Sequence, residues 1–106
     1  MAMVEVSIVP VGTLTPSVSQ YVAGAVQILQ NEPDIKYELT AMGTIIEGDL
    51  ERLLNLAGRM HGSAFDAGVM RVVTTIKIDD RRDKPSSING KVAAVKRKLG
   101  GKPDRL

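Results

Sequence analysis

The chain has 106 residues, a net charge of +2, 43% hydrophobic and 25% charged side chains, and no cysteine. That is the make-up of one globular domain, and it excludes a disordered chain, disulfides, thiolate metal sites and a cysteine nucleophile. No apolar run approaches the roughly 20 residues that span a bilayer, and MAMVEVSIVP has no basic stretch ahead of an apolar one, so the expected compartment is the cytoplasm, with no membrane span and no signal peptide.

Residues 3–11 alternate as a strand, with Val4, Val6 and Ile8 on one face and Glu5, Ser7 and Val9 on the other. Pro10 lacks an N–H and belongs at a strand end or an edge. After a loop over 12–16, residues 17–31 place Val18, Tyr21, Val22, Ala25, Val26 and Leu29 on one helical stripe. A Ser17–Gln20 capping box, or Thr15 ahead of Pro16, would open this helix, and Asn31 with Pro33 would close it. Residues 35–41 alternate again, with Ile35, Tyr37, Leu39 and Ala41 against Lys36, Glu38 and Thr40. A turn near Met42–Gly43 joins them to a short antiparallel strand over Thr44–Glu47.

Residues 49–67 form the second helix, with Asp49 as N-cap, Glu51 in the first turn and Gly68 just past the end. Its predicted stripe is Leu50, Leu53, Leu54, Ala57, Met60, His61, Ala64 and Phe65, and Gly58 and Gly62 offer room for close packing. Residues 70–78 are a strand, with Met70, Val72, Thr74, Ile76 and Ile78 facing one way and Arg71, Val73, Thr75 and Lys77 the other. The charged loop DDRRDKPSS precedes a last helix over about 87–99, where Ile88, Val92, Val95 and Leu99 make a narrow stripe. Gly100, Gly101 and Pro103 stop it, leaving 101–106 as a frayed basic tail on a single domain spanning 1–100.

The order β-α-β-β-α-β plus a terminal helix predicts an α+β, ferredoxin-like fold with a four-stranded antiparallel sheet, two helices on one face and an extra C-terminal helix. The second sheet face is left open, and its residues are mixed: Glu5, Ser7, Val9, Glu38, Thr40, Arg71, Val73, Thr75 and Lys77. Aromatics number only Tyr21, Tyr37 and Phe65. A domain this small, without a staple, gains from association, so the open face and the terminal helix are expected to hold further copies of the chain.

Residues 1–90 carry a net −3 and residues 91–106 a net +5. The basic end reads as a solvated helix terminus, and the sheet lacks the paired aromatics that stack on RNA bases, so nucleic acid is not an expected partner.

His61 is the sole histidine and reads as a partly buried helix residue; no metal or cofactor is expected. There is no GxSxG elbow and no phosphate-cradling glycine loop, so these residues point to no hydrolytic or nucleotide chemistry and no catalytic residue is assigned. In DDRRD, Arg81 and Arg82 could hold a phosphate, or Asp79, Asp80 and Asp83 could neutralise them. With Arg71 they supply the rival reading, an enzyme or sensor acting on a small phosphorylated metabolite. Glu47-Gly48-Asp49 reads first as a strand-to-helix turn with its cap. The same region sets Thr44 and Glu47 near Tyr37 and Ser7, a combination that would suit a flat polar heterocycle.

The stretches SIVPVGT (7–13), SVSQYVA (17–23), YELTAMGTIIEGD (37–49) and RVVTTIKIDDRRD (71–83), in this order, resemble the small thiamine-binding-like proteins. The resemblance covers about residues 3–99. It implies a ferredoxin-like fold that assembles into homodimers and homotetramers and binds thiamine or its hydroxymethylpyrimidine portion without catalysis. The family's ligand region would map onto Ser7, Pro10, Tyr37, Met42, Thr44 and Glu47. In that reading Glu47 pairs with a ring amino group or protonated nitrogen, Thr44 and Ser7 hydrogen-bond the ring, and Tyr37, Pro10 and Met42 form apolar walls.

Overall fold

The computed structural model describes residues 1–83 and 87–100. Its elements are β1 (Ala2–Val11), α1 (Ser19–Gln30), β2 (Lys36–Leu39), β3 (Thr44–Gly48), α2 (Leu50–Asp66), β4 (Arg71–Asp80) and α3 (Ile88–Lys98). The four strands pair antiparallel in the order β2-β3-β1-β4. This is the α+β, ferredoxin-like arrangement that the alternating and helical patterns predict. The expected frayed tail, 101–106, and Lys84 lie outside the described residues.

Register sorts the side chains. Val4 stands opposite both Ile46 and Ile78, and Val6 opposite Thr44 and Ile76, so these residues share the helix-covered face. There Val4, Val6, Ile8 and Ile46 meet Tyr21, Ala25 and Leu29 of α1 and Leu53, Leu56, Ala57, Met60 and Ala64 of α2. The predicted α2 stripe needs one correction. Leu56 is fully buried, whereas Leu54 and Phe65 stay 40% and 43% exposed. At about 100° per residue, those two fall some 100–120° away from the line through Leu53, Leu56, Ala57 and Met60. Gly58 and Gly62 do not serve close packing, because a Cβ at either would have nothing within 4 Å.

Two of the three helix starts carry a side-chain cap, the predicted Asp49 and, at α3, Ser87. The Asp49 carboxylate accepts from the Arg52 N–H at 3.4 Å, and the Ser87 hydroxyl from the Gly90 N–H at 3.0 Å. The predicted α1 cap does not form. The N-cap is Val18, with no side-chain hydrogen bond, and the Thr15 hydroxyl accepts instead from the Ser17 N–H within the loop.

β1 is paired unevenly. It runs with β4 over its whole length, from Ala2↔Asp80 to Val11↔Arg71, but with β3 only from Ala2↔Gly48 to Val6↔Thr44. From Ser7 onward one side of β1 has no strand beside it among the described residues. A Cβ on Gly43 would sit 3.1 Å from the Val6 carbonyl, so Val6 turns its backbone polar groups toward the β2–β3 hairpin. The two-residue period points those of Ile8 and Pro10 the same way. Pro10 therefore withholds its N–H on the side where no strand pairs.

The open face is not wholly bare, as the sequence pattern predicted it would be. α3 lies over one end of it, where Ile88, Lys91 and Val92 approach Met3, Glu5, Ile45, Lys77 and Asp79. Met3 is only 7% exposed as a result. Lys91 pairs with Asp79, and the Glu47 carboxylate accepts the Ile88 N–H at 2.8 Å.

Candidate functional site

Where β1 and β3 part, a cleft of about 250 Å³ opens between the free side of β1, the β2–β3 turn and the start of α1. Its walls are Val6–Val9 of β1, Val18 and Val22 beside the start of α1, Leu39–Thr44 of the hairpin, and Ala25 and Met60 from the core. The turn is held by one hydroxyl. Thr40 Oγ1 donates to the Gly43 carbonyl at 2.8 Å and accepts from the Gly43 and Met42 N–H groups at 3.1 and 3.3 Å. This fixes the rim of the cleft without help from a long side chain. Thr44 is 3% exposed, lines the cleft, and has no side-chain hydrogen bond among the described residues. The site thus offers apolar walls, the Thr44 hydroxyl and the unpaired backbone of Ile8, while Ser7 enters the lining from β1 with its side chain on the open face.

The cleft gathers three of the six predicted site residues, Ser7, Met42 and Thr44. The other three lie elsewhere. Residues 44 and 47 are three apart on one strand, so their side chains take opposite faces. Thr44 faces the helices with Val6, and Glu47 faces the other way with Met3 and Lys36. Glu47 is 6% exposed because it sits under the first turn of α3 and accepts the Ile88 N–H there, with Lys36 Nζ at 4.0 Å. Its position is that of a helix-terminal anion, where the macrodipole favours it. Tyr37 stands opposite Ile46 on the edge strand and is 37% exposed, and Pro10 is buried opposite Val72. Neither lines the cleft.

Sequence reading missed Thr40, Leu39, Val18 and Val22 as lining residues. The α1 stripe carried a signal. It is wider than the core uses, since Tyr21, Ala25 and Leu29 are buried while Val18, Val22 and Val26 stay half-buried beside the groove.

The arginines of the rival reading do not converge. Arg71 stands opposite Val11 at one end of β4, and Arg81 and Arg82 follow its other end, about 30 Å of strand away. Arg81 is held by both oxygens of Asp83, and Arg82 Nη2 by Asp80 at 2.9 Å. His61 is half-buried, as expected. Its Nδ1 lies 2.6 Å from the Thr74 hydroxyl, and its ring meets the edge of Phe65 at 5.3 Å. Among the described residues no group of three or more histidines and carboxylates is placed to hold a metal ion.

Residues 4–96 match the family described as thiamine-binding protein. The chain belongs to that family. Among its relatives, the UPF0045 protein YqgV of Bacillus subtilis (strain 168) is 47% identical over 102 residues, covering 93% of this chain and 98% of the relative. A UPF0045 protein of Methanothermobacter thermautotrophicus is 41% identical over 100 residues, covering 93% and 100%. The solved structure of hypothetical protein MJ1052 from Methanocaldococcus jannaschii superposes with a TM-score of 0.81 at 40% identity, covering 89% of this chain and 94% of that one. A domain of unknown function, DUF77, from Bacillus cereus does so with a TM-score of 0.75 at 33% identity, covering 86% of each. These two solved structures share with this chain the fold that frames the cleft. No helix among the described residues is long and apolar enough to cross a membrane.

Proposed function

We propose that this family member is a non-catalytic, homo-oligomeric binding protein for thiamine or a related aminopyrimidine, acting in the cytoplasm. The observation that carries the reading is the cleft beside the free side of β1. At about 250 Å³ it lies below the roughly 300–1,000 Å³ of clefts that take drug-sized ligands, a size suited to a single heterocyclic ring. Met42, Leu39 and Val22 supply apolar walls, Thr44 supplies a hydroxyl, and Ile8 supplies a backbone donor and acceptor for ring nitrogens and an exocyclic amine. In this reading Glu47 acts on α3 and not on the ligand.

Self-association is supported by apolar surface that the single chain leaves uncovered. Val9 and Val73 on the open face, Ile76 and Ile78 on the edge strand β4, and Val92, Val95 and Leu99 of α3 are all 40–50% exposed. A ten-residue edge strand carrying such residues favours a partner.

Native mass spectrometry and calorimetry with thiamine test both parts. The expected result is an oligomer that binds thiamine, with a Thr44→Val variant that keeps its assembly and loses about tenfold in affinity, the worth of one buried hydroxyl contact. A monomer at all concentrations, or a Thr44→Val protein of unchanged affinity, overturns the corresponding part.

A further inference from the structure

We infer that the cleft accepts only unphosphorylated ligands and rejects their phosphate esters, an inference that rests on the binding reading above and narrows it. The cleft does not stand alone. It shares Val18, Val22, Leu39, Thr40 and Ala41 with a shallower groove that runs along α1 as far as Gln27 and Gln30, so the two adjoin across these side chains, and we take them together as one channel. A ligand with its ring in the cleft extends its remaining atoms into that groove. A quarter of this chain's residues are charged. Yet among the described residues no lysine, arginine, histidine, aspartate or glutamate lines either the cleft or the groove. The polar groups along the groove are hydroxyls and amides, from Ser17, Ser19, Thr40, Gln27 and Gln30.

The cations of the surrounding sheet are already engaged or remote. Lys77 pairs with Glu5 at 4.0 Å on the open face, and Lys36 approaches Glu47 at the far end of the hairpin. Arg71 lies at the end of β4, across β1 from the hairpin. One feature does favour an anion. α1 begins beside the groove without a side-chain cap, which leaves the Ser19 and Gln20 N–H groups free of one. A helix terminus supplies roughly half a unit charge, and a phosphate monoester near neutral pH carries about −1.5 to −2. Transferring that charge from water into a channel without a counter-cation is unfavourable. A neutral aminopyrimidine loses far less hydration, and thiamine's single positive charge, spread over its thiazolium ring, is far less strongly hydrated than a compact phosphate dianion; the channel's hydroxyls and amides satisfy the alcohol and the amine.

Calorimetry on the intact protein, with four probes, tests the inference: thiamine, its monophosphate, its diphosphate, and the free hydroxymethyl aminopyrimidine. The expected result is binding of the two unphosphorylated compounds, with both esters at least about 100-fold weaker. A Gln27→Lys variant, which adds a cation to the groove without touching the cleft, should narrow the gap between thiamine and its monophosphate by about tenfold or more. Esters that bind the original protein as tightly as thiamine overturn this inference and leave the binding reading standing. If none of the four binds, the binding reading falls, and this inference falls with it.

Discussion

Glu47 is the residue on which the resemblance and the geometry part company, and its replacement separates them. Substituting Glu47→Ala removes the acceptor that holds the Ile88 N–H at 2.8 Å. A hydrogen bond to a charged group contributes about 1.5–3 kcal/mol. Ile88 is only half-buried and Ser87 still caps the next turn, so the lower end applies, about 1.5 kcal/mol. None of α3's side chains is buried, and its other named tie to the sheet is the Lys91–Asp79 pair. A loss of that size should therefore show locally, as helix release, and not as global unfolding. Hydrogen exchange of the α3 amides should rise about tenfold while the β1 and α2 amides hold. Thiamine affinity should stay within about twofold of the original, since Glu47 lies on the opposite sheet face from Thr44. Unchanged α3 exchange together with a tenfold or greater loss of thiamine affinity would refute the assignment and return Glu47 to the ligand.

Two further outcomes follow from the fold. Leu56→Ala should destabilise the protein by about 2–5 kcal/mol in urea melts, and Leu54→Ala by less than about 1 kcal/mol, because only Leu56 is buried. The second concerns acid. Arg59 and Arg52 together hold the Glu32 carboxyl below its ordinary 4.5, and Arg52 holds that of Asp34 below 3.8. A depressed carboxylate stabilises the fold above its unfolded value and loses that contribution as pH falls through the folded one. Thermal melts should therefore show stability falling below about pH 4.5, and the Glu32→Gln, Asp34→Asn double variant should show a shallower fall over the same range.

How much of this was legible beforehand depends on which periodicity carried the signal. The sheet faces were readable from MVEVSIV and RVVTTIKI because burial on one face forces strict alternation there. Asp49 was readable as a cap because its carboxylate reaches a backbone donor only three residues on. The α1 start was not, because Ser17 turned into a loop hydrogen bond and left Val18 at the cap. The site was half legible. Ser7, Met42 and Thr44 come together because β3 ends at Val6↔Thr44 and the chain turns away, a register detail that no local pattern encodes. Glu47 was misplaced by treating residues near in sequence as near in space, when two steps along a strand separate same-face neighbours and three do not. Its true companion, Ile88, lies 41 residues away.

The proline at the tenth position has a meaning for the neighbours this molecule can admit. A bare strand flank ordinarily invites any extended peptide to zip alongside, and a foreign segment laid there would be the simplest way to clog the opening. Such an intruder would find, two steps past Ile8, a ring where its carbonyl needs a hydrogen to grip. The imino acid thus acts as a gatekeeper. A small compact guest of the kind proposed above would still find the exposed main chain of Ile8 open to it, while a polypeptide would be denied the same berth.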